Sequence, residues 1–138
     1  MAALSQEVKQ LIDRPNFAHL ATVMADGSPL VTPVWIGREG DRVIICTSDE
    51  SLKGKNTKRE PRVALSIVDF ANPYEEAQIR GRVVERRPDP ELKILDPISQ
   101  KYTGKPFPMR GPEARIALIV EAEKVRYLKL PFAHTPPK

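Results

Sequence analysis

A cationic run between two apolar segments is the part of this sequence whose residue types and spacing best suit chemistry. Residues 51–62 carry five cations and one acid, Glu60, and the flanking segments 42–47 and 62–68 have the apolar composition of buried strands. Backbone N–H groups at a turn or helix start can converge with lysine ammonium groups on one phosphate. The run therefore predicts an anion site, with a solvated surface turn as the alternative. The five cations are Lys53, Lys55, Lys58, Arg59 and Arg62.

Residues suited to acid–base, nucleophilic or metal chemistry are scarce. The two histidines, His19 and His134, belong to no metal-ligand spacing and to no serine–histidine–aspartate set. We interpret His19 as an ordinary strand residue. The single cysteine, Cys46, lies in an apolar segment, where a buried and unreactive thiol is expected. The sequence therefore leaves the catalytic residues unknown and predicts no metal site.

The overall composition indicates one soluble globular domain over residues 1–138. Hydrophobic residues make up 41% of the chain and charged residues 29%, and the net charge is +4. Much of the positive excess lies in residues 51–62, which favours a local anion site over a nucleic-acid surface. Aromatic residues make up only 6%, and they do not alternate with the cations as a base-stacking platform requires. Because residues 1–15 lack the pattern of a signal peptide and no segment resembles a membrane span, we expect a cytoplasmic protein without nucleic-acid or membrane partners.

Hydrophobic periodicity and turn signals predict a mainly β (α+β) protein with short flanking helices. Strands are predicted over 17–23, 29–36, 42–47, 62–68, 76–84 and 114–122, the last extending toward 128. A first helix should begin after Ser5 and end near Arg14, and a short helix is expected over 52–59. A second main helix should have Asp89 as its N-cap, a kink at Pro97 and an end at Gly104. This number of strands indicates a small closed barrel, with 129–138 as a flexible tail.

Seven short motifs resemble, in their order and spacing, those of the pyridoxamine 5′-phosphate oxidase-like split β-barrels. More narrowly, they resemble the branch that uses the deazaflavin coenzyme F420. The resemblance spans roughly residues 10–130 and implies a six- to seven-stranded split β-barrel that forms a homodimer with two cofactor sites at the subunit interface. Flavin-binding members share the same barrel, so FMN is the alternative cofactor. The motifs occupy residues 18–22, 26–29, 33–35, 53–56, 59–63, 78–82 and 101–104.

The resemblance also implies which residues bind the cofactor. Basic residues would bind its phosphate, the second strand would lie along its tricyclic ring, and the end of the third strand would approach its ribityl or phosphate portion. Tyr102 and Phe107 from the partner subunit would close the pocket. The implied residues are Lys53, Lys55 and Asn56 for the phosphate, Val31, Thr32, Pro33, Val34, Trp35 and Gln78 for the ring, and Thr47 and Ser48 for the ribityl portion. By residue type alone, Trp35 could also be a core or interface aromatic, and Gln78 could belong to a solvated stripe with Arg80 and Arg82.

The function implied by the resemblance is that of an oxidoreductase. It would transfer a hydride between F420 and an unsaturated or conjugated small molecule, with the cofactor supplying the chemistry. The alternatives are an FMN flavoprotein of the same fold and a non-catalytic cofactor-binding protein. Residues 130–138 lack the arginine and tryptophan constellation of pyridoxamine phosphate oxidases, which argues against vitamin B6 oxidation. Tyr74, Arg80 and bulk solvent are the candidate proton donors.

Overall fold

Three helices and seven strands make up the chain, for which a computed structural model describes residues 1–137. Lys138, the last residue of the predicted tail, lies outside the described residues. None of the three helices is long and apolar enough to cross a membrane. The elements are α1 (Gln6–Asp13), β1 (Ala18–Val23), β2 (Pro29–Val34), β3 (Gly37–Glu39), β4 (Arg42–Ser48), α2 (Leu52–Arg59), β5 (Arg62–Val68), β6 (Glu75–Pro88), α3 (Leu95–Thr103) and β7 (Arg115–Lys129).

The strands form one antiparallel sheet that curls into a split barrel. Its strand order is β2-β1-β5-β6-β7-β4-β3, so β2 and β3 are the two edges. Only Trp35 and Ile36 connect these edge strands, which brings both edges to the same seam. The prediction of a mainly β split barrel with six to seven strands is therefore confirmed, and the short strand β3 is the element that the sequence pattern did not predict.

The barrel interior is filled by apolar side chains from the strands and from helix α1. Val8, Leu11 and Ile12 of α1 are completely buried against the inward-facing residues of the sheet. The Ser5 hydroxyl accepts a hydrogen bond from the Val8 N–H at 3.3 Å, so the predicted N-cap begins this helix. Each such fully buried aliphatic side chain stabilises the fold by roughly 1.5–3 kcal/mol. Helix α1 therefore closes one end of the barrel.

A second apolar cluster lies outside the barrel, where α3 packs on the outer face of β4 and β7. Ile98 of α3 contacts Ile44 of β4 and Ile119 of β7, and Trp35 and Cys46 pack against this cluster. The outer layer is separate from the barrel interior, because the inward-facing residues of the same strands belong to the other cluster. Helix α3 thereby forms one wall of a space beside the seam.

The N-terminus of α3 differs from the prediction. The helix begins at Leu95 rather than directly after Asp89. The Asp89 carboxylate still satisfies its first N–H groups, accepting hydrogen bonds from Ile94 at 3.0 Å and Leu95 at 2.9 Å. Pro97 lies in the first helical turn, where the missing N–H has no intrahelical partner to lose. The predicted kink is therefore absent, and Gly104 ends the helix with a left-handed φ of 74°.

Strand β6 is longer than predicted because it contains irregularities that local alternation does not show. Ala77, Ile79 and Gly81 are buried as expected. The pairing with β7 is interrupted between Val83 and Glu85, and the strand then continues to Pro88. The extra residue changes which side chains of β6 face inward beyond this point.

Candidate functional site

A cavity of about 490 Å³ lies beside the seam, between the end of β2, helix α3 and the segment that leads into β7. Its walls are mainly apolar, and two cations, Lys53 and Arg115, also line it. A mostly apolar cavity with a few charged groups is typical of small-molecule and cofactor sites. The apolar part of the lining consists of Phe17, Pro33, Val34, Trp35, Cys46, Leu95, Ile98, Phe107 and Met109.

Aromatic rings form one wall of this cavity. The Trp35 indole stacks on the Tyr102 ring with centroids 5.2 Å apart and planes inclined by 6°, and Phe107 meets Trp35 edge-on at 6.1 Å. Phe17 extends the wall at 5.7 Å from Tyr102. Tyr102 and Phe107 thus both contact Trp35 of their own chain, and their expected role in closing the partner's pocket stays a prediction. Trp35 therefore presents a fixed flat face, held by stacking.

Lys101 and Tyr102, from the motif at residues 101–104, hold the aromatic wall of the cavity in place by hydrogen bonds to the backbone. The Tyr102 hydroxyl donates to the Asn16 carbonyl at 2.5 Å and accepts from the Ile36 N–H at 3.1 Å. The neighbouring Lys101 ammonium donates to the carbonyls of Ile12 and Ile36. Burial lowers the pKa of Lys101 to about 8, although the charge of Asp13 opposes this shift. These contacts join α3 to the segment between β2 and β3, so the motif is structural.

Helix α2 places one of the predicted basic residues, Lys53, in the cavity wall. Its N-cap Ser51 accepts a hydrogen bond from the Gly54 N–H at 3.0 Å, which explains why the helix begins where the sequence predicted. Lys53 is half-buried and lines the cavity, while Lys55 is exposed and lies outside it. Within residues 1–137, no carboxylate forms a salt bridge with either lysine. The Lys53 charge is therefore available to an anion in the cavity.

Thr47 and Ser48 line an adjoining depression of about 430 Å³. Arg115 lines both this depression and the main cavity, because it lies opposite Ser48 in the β4–β7 ladder. Its guanidinium lies 5.0 Å from the centre of the Phe107 ring and 3.1 Å from the Glu113 carboxylate. The end of β4, the start of α2 and the start of β7 thus meet around one cation.

Asn56 does not face the cavity. Its side chain is 2% exposed, and its amide nitrogen donates to the Thr22 hydroxyl at 3.0 Å. Its amide oxygen accepts from Arg59 at 2.9 Å. Because both ends of the amide have protein partners, this placement argues against Asn56 as a direct phosphate ligand, and its visible role is to join α2 to β1.

The structure brings together only part of the predicted site. The residues that line the cavity or the adjoining depression are Pro33, Val34, Trp35, Thr47, Ser48 and Lys53. Those that line neither are Val31, Thr32, Lys55, Asn56 and Gln78. Gln78 lies with Arg80 and Arg82 on the exposed face of β6, and 59% of Val31 is exposed on β2. Within residues 1–137, no group of three or more histidine, cysteine or acidic side chains could hold a metal ion.

A known family model matches most of the chain. The family model described as pyridoxamine 5′-phosphate oxidase matches residues 4–129. The chain belongs to the pyridoxamine 5′-phosphate oxidase family. This confirms the family that the seven motifs indicated. No protein of curated function matches the chain in sequence.

Solved structures of the same architecture include a protein named F420 reductase. It is 28% identical to this chain with a TM-score of 0.80, and the match covers 89% of this chain and 98% of the reductase. A conserved hypothetical protein from Mycobacterium tuberculosis is 21% identical with a TM-score of 0.76, over 97% of this chain and 93% of its own. The second similarity shows the fold alone.

Arg115 is the cation of the cavity that sequence reasoning missed. It stands at the start of β7, beside no motif, and only the strand register places it opposite Ser48. Phe17, Leu95, Ile98 and Met109 were also missed as cavity residues, because their apolar character fits a core position equally well. Cys46 was predicted as a buried thiol, and it is largely buried but lies in the cavity wall.

The Cys46 thiol provides a direct chemical probe of the cavity. Burial raises its pKa to about 12, and the negative charge of Asp89 contributes to the same shift. At mildly alkaline pH we therefore expect iodoacetamide to modify Cys46 on the order of tens of times more slowly in the folded protein than in urea, measured by mass spectrometry. Because the chain has a single cysteine, the signal belongs to this residue alone. Equal rates in the two states would show that the thiol is not buried in the cavity wall.

Proposed function

We propose that this protein is an F420-dependent oxidoreductase that transfers a hydride between the deazaflavin and an unsaturated or conjugated small molecule. The observation that carries the proposal is one cavity that combines a flat aromatic wall with two cations, Lys53 and Arg115. A tricyclic ring with a phosphate-bearing side chain requires both features. The residues present therefore fit such a cofactor.

Each part of the cavity has a role in this proposal. Pro33, Val34 and Trp35 would lie along the ring, and Trp35 is already held flat by Tyr102. Lys53 and Arg115 would bind the phosphate, beside the hydroxyls of Thr47 and Ser48 at the end of β4. The apolar lining would exclude water from the reacting face. When bound, the deazaflavin supplies two-electron hydride chemistry, so the protein needs to bind and orient rather than to provide a nucleophile.

The choice of F420 over FMN is supported by the similarity to the solved F420 reductase. That protein is 28% identical and the match covers 98% of its chain. FMN is the second candidate, because both cofactors carry a tricyclic ring and a phosphate. Non-catalytic cofactor binding is the third candidate, since no histidine or carboxylate among residues 1–137 lines the cavity.

The proposal includes a homodimer. Large apolar side chains are exposed near the seam, including Val31 at 59% and Phe70 at 76%. A second copy of the chain would cover such side chains. Sedimentation of the purified protein would measure the oligomeric state, and a monomer at all concentrations would remove this part of the proposal.

The test is a titration of the purified protein with F420 and, separately, with FMN. Trp35 is the only tryptophan and lines the cavity, so quenching of its fluorescence should report binding, with calorimetry as an independent measurement. Saturable binding of F420, tighter than that of FMN, is the expected result. Tighter binding of FMN would favour the alternative function, an FMN flavoprotein of the same fold. Absence of binding to either cofactor by both methods would overturn the proposed function.

A further inference from the structure

We propose that Arg86 is a positioning residue that holds helix α2, and through it Lys53, against the cavity. This inference rests on the proposed function for its effect on ligand binding. Arg86 lines none of the site described above, so its influence would be indirect. Arg86 donates three hydrogen bonds, and the buried Thr57 hydroxyl links one of them to Lys53.

The guanidinium of Arg86 bridges α2 and the turn that precedes it. One nitrogen donates to the Asp49 carboxylate at 2.7 Å and to the Gly54 carbonyl at 2.9 Å. The other donates to the Thr57 hydroxyl at 3.0 Å. Charge-assisted hydrogen bonds in a planar fork fix orientation as well as distance. A lysine at this position could not reproduce all three directions.

The Thr57 hydroxyl transmits this contact to Lys53. Thr57 is 2% exposed, and its hydroxyl donates to the Lys53 carbonyl at 2.7 Å. The hydroxyl therefore stands between the Arg86 guanidinium and the backbone of the residue that carries the cavity cation. Because the Lys53 backbone is anchored this way, its side chain starts from a fixed point at the cavity wall.

The interruption in β6 explains why Arg86 can reach α2. Before the irregularity, the exposed residues of β6 are the even-numbered Gln78, Arg80 and Arg82. After the irregularity between Val83 and Glu85, Arg86 pairs with Leu118, whose side chain lies in the barrel interior. Directly paired residues of an antiparallel ladder lie on the same face of the sheet. The extra residue thus turns Arg86 toward the inner face, from which its guanidinium reaches Gly54 and Thr57 of α2.

The ion pair of Arg86 with Asp49 adds an electrostatic component. The hydrogen bond from Arg86 holds the pKa of Asp49 below its usual value, so the carboxylate stays charged at neutral pH. Asp49 comes directly after β4, before the N-cap Ser51. The guanidinium therefore ties the residues on both sides of the helix start to one strand of the barrel.

The experiment compares Arg86→Met and Arg86→Lys with a matched control, Arg82→Met, which removes an exposed guanidinium from the same strand. Binding is measured for FMN against riboflavin, and for F420 against its chromophore without the phosphate. Hydrogen exchange of residues 52–59 is measured in all variants. If Arg86→Met does not fold, Thr57→Val breaks the same chain of contacts with a side chain of similar shape.

In Arg86→Met we expect the ratio of the affinities for the phosphorylated and unphosphorylated ligands to fall about tenfold. The ratio should fall less in Arg86→Lys and should not change in Arg82→Met. Exchange in residues 52–59 should be faster in Arg86→Met while the barrel strands are unchanged. A merely structural role would weaken phosphorylated and unphosphorylated ligands equally, and that outcome would overturn the inference. So would unchanged exchange of α2 in the folded variant. Failure of the wild-type protein to bind either cofactor would overturn the proposed function instead, and the exchange data would still decide whether Arg86 holds α2.

Discussion

Replacing Lys53 by alanine is expected to weaken binding of the phosphorylated cofactor by about 1.5–3 kcal/mol, which corresponds to roughly ten- to a hundredfold in Kd. Lys53 lines the cavity and is paired with no carboxylate in residues 1–137, so its charge is not already neutralised. Removing it leaves Arg115 as the remaining cation of the cavity. Calorimetric titration of the variant with F420 or FMN measures the change.

Lys58→Ala is the matched control for this prediction, because it removes a lysine from the same helix that lies outside the cavity. Its affinity should equal that of the wild-type protein. Lys55 is also exposed outside the cavity, so the double variant Lys53→Ala/Lys55→Ala should lose about 2–5 kcal/mol only if both charges meet the phosphate. Unchanged affinity in a folded double variant would remove the phosphate assignment altogether.

Replacing Gly54 by alanine is expected to displace helix α2 and to lower both stability and cofactor affinity. A Cβ atom on Gly54 would lie 2.4 Å from the Ser48 carbonyl oxygen and 3.0 Å from that of Asp49. Both contacts are with backbone, which cannot move aside as a flexible side chain can. Overpacking of this kind costs about 1–3 kcal/mol of unfolding free energy. Thermal or urea unfolding measures the loss, and titration shows whether cofactor binding falls as well.

The control for this substitution is Gly111→Ala, since a Cβ atom there would meet nothing within 4 Å. Gly111 lies outside the helices and strands. Gly111→Ala should change the free energy of unfolding no more than an ordinary surface substitution does. A Gly54→Ala variant as stable as the control, and with normal affinity, would show that α2 can shift without consequence and would contradict the positioning described for Lys53.

The strands of this fold were predictable because their signals are local. Alternation along β6 separates the buried Ala77, Ile79 and Gly81 from the exposed residues between them, and Ser5 marked the start of α1. The start of α3 was not predictable in this way. Asp89 satisfies N–H groups five and six residues later, beyond the spacing that local capping rules cover.

The candidate site was only partly predictable, because it depends on strand register. Lys53 lines the cavity, and its position between two buried strands and in the first turn of a helix is visible in the sequence. Arg115 becomes a neighbour of Ser48 only through the β4–β7 ladder, and Arg86 reaches α2 only through the interruption in β6. Asn56 shows the opposite error, because a polar residue in a basic motif was expected to face a ligand and instead joins α2 to the barrel.

The separation of the two apolar clusters affects which substitutions this protein can tolerate. Ile98, which lines the cavity, belongs to the apolar cluster outside the barrel, whereas Leu118 belongs to the barrel interior. The effects of substitutions on the free energy of unfolding add best when the substituted residues share no neighbours. Exchanges among apolar residues of similar size at Leu95 and Ile98 should therefore reshape the cavity while the barrel interior keeps its packing. The shape of the cavity can therefore change in this family member while the barrel beside it stays the same.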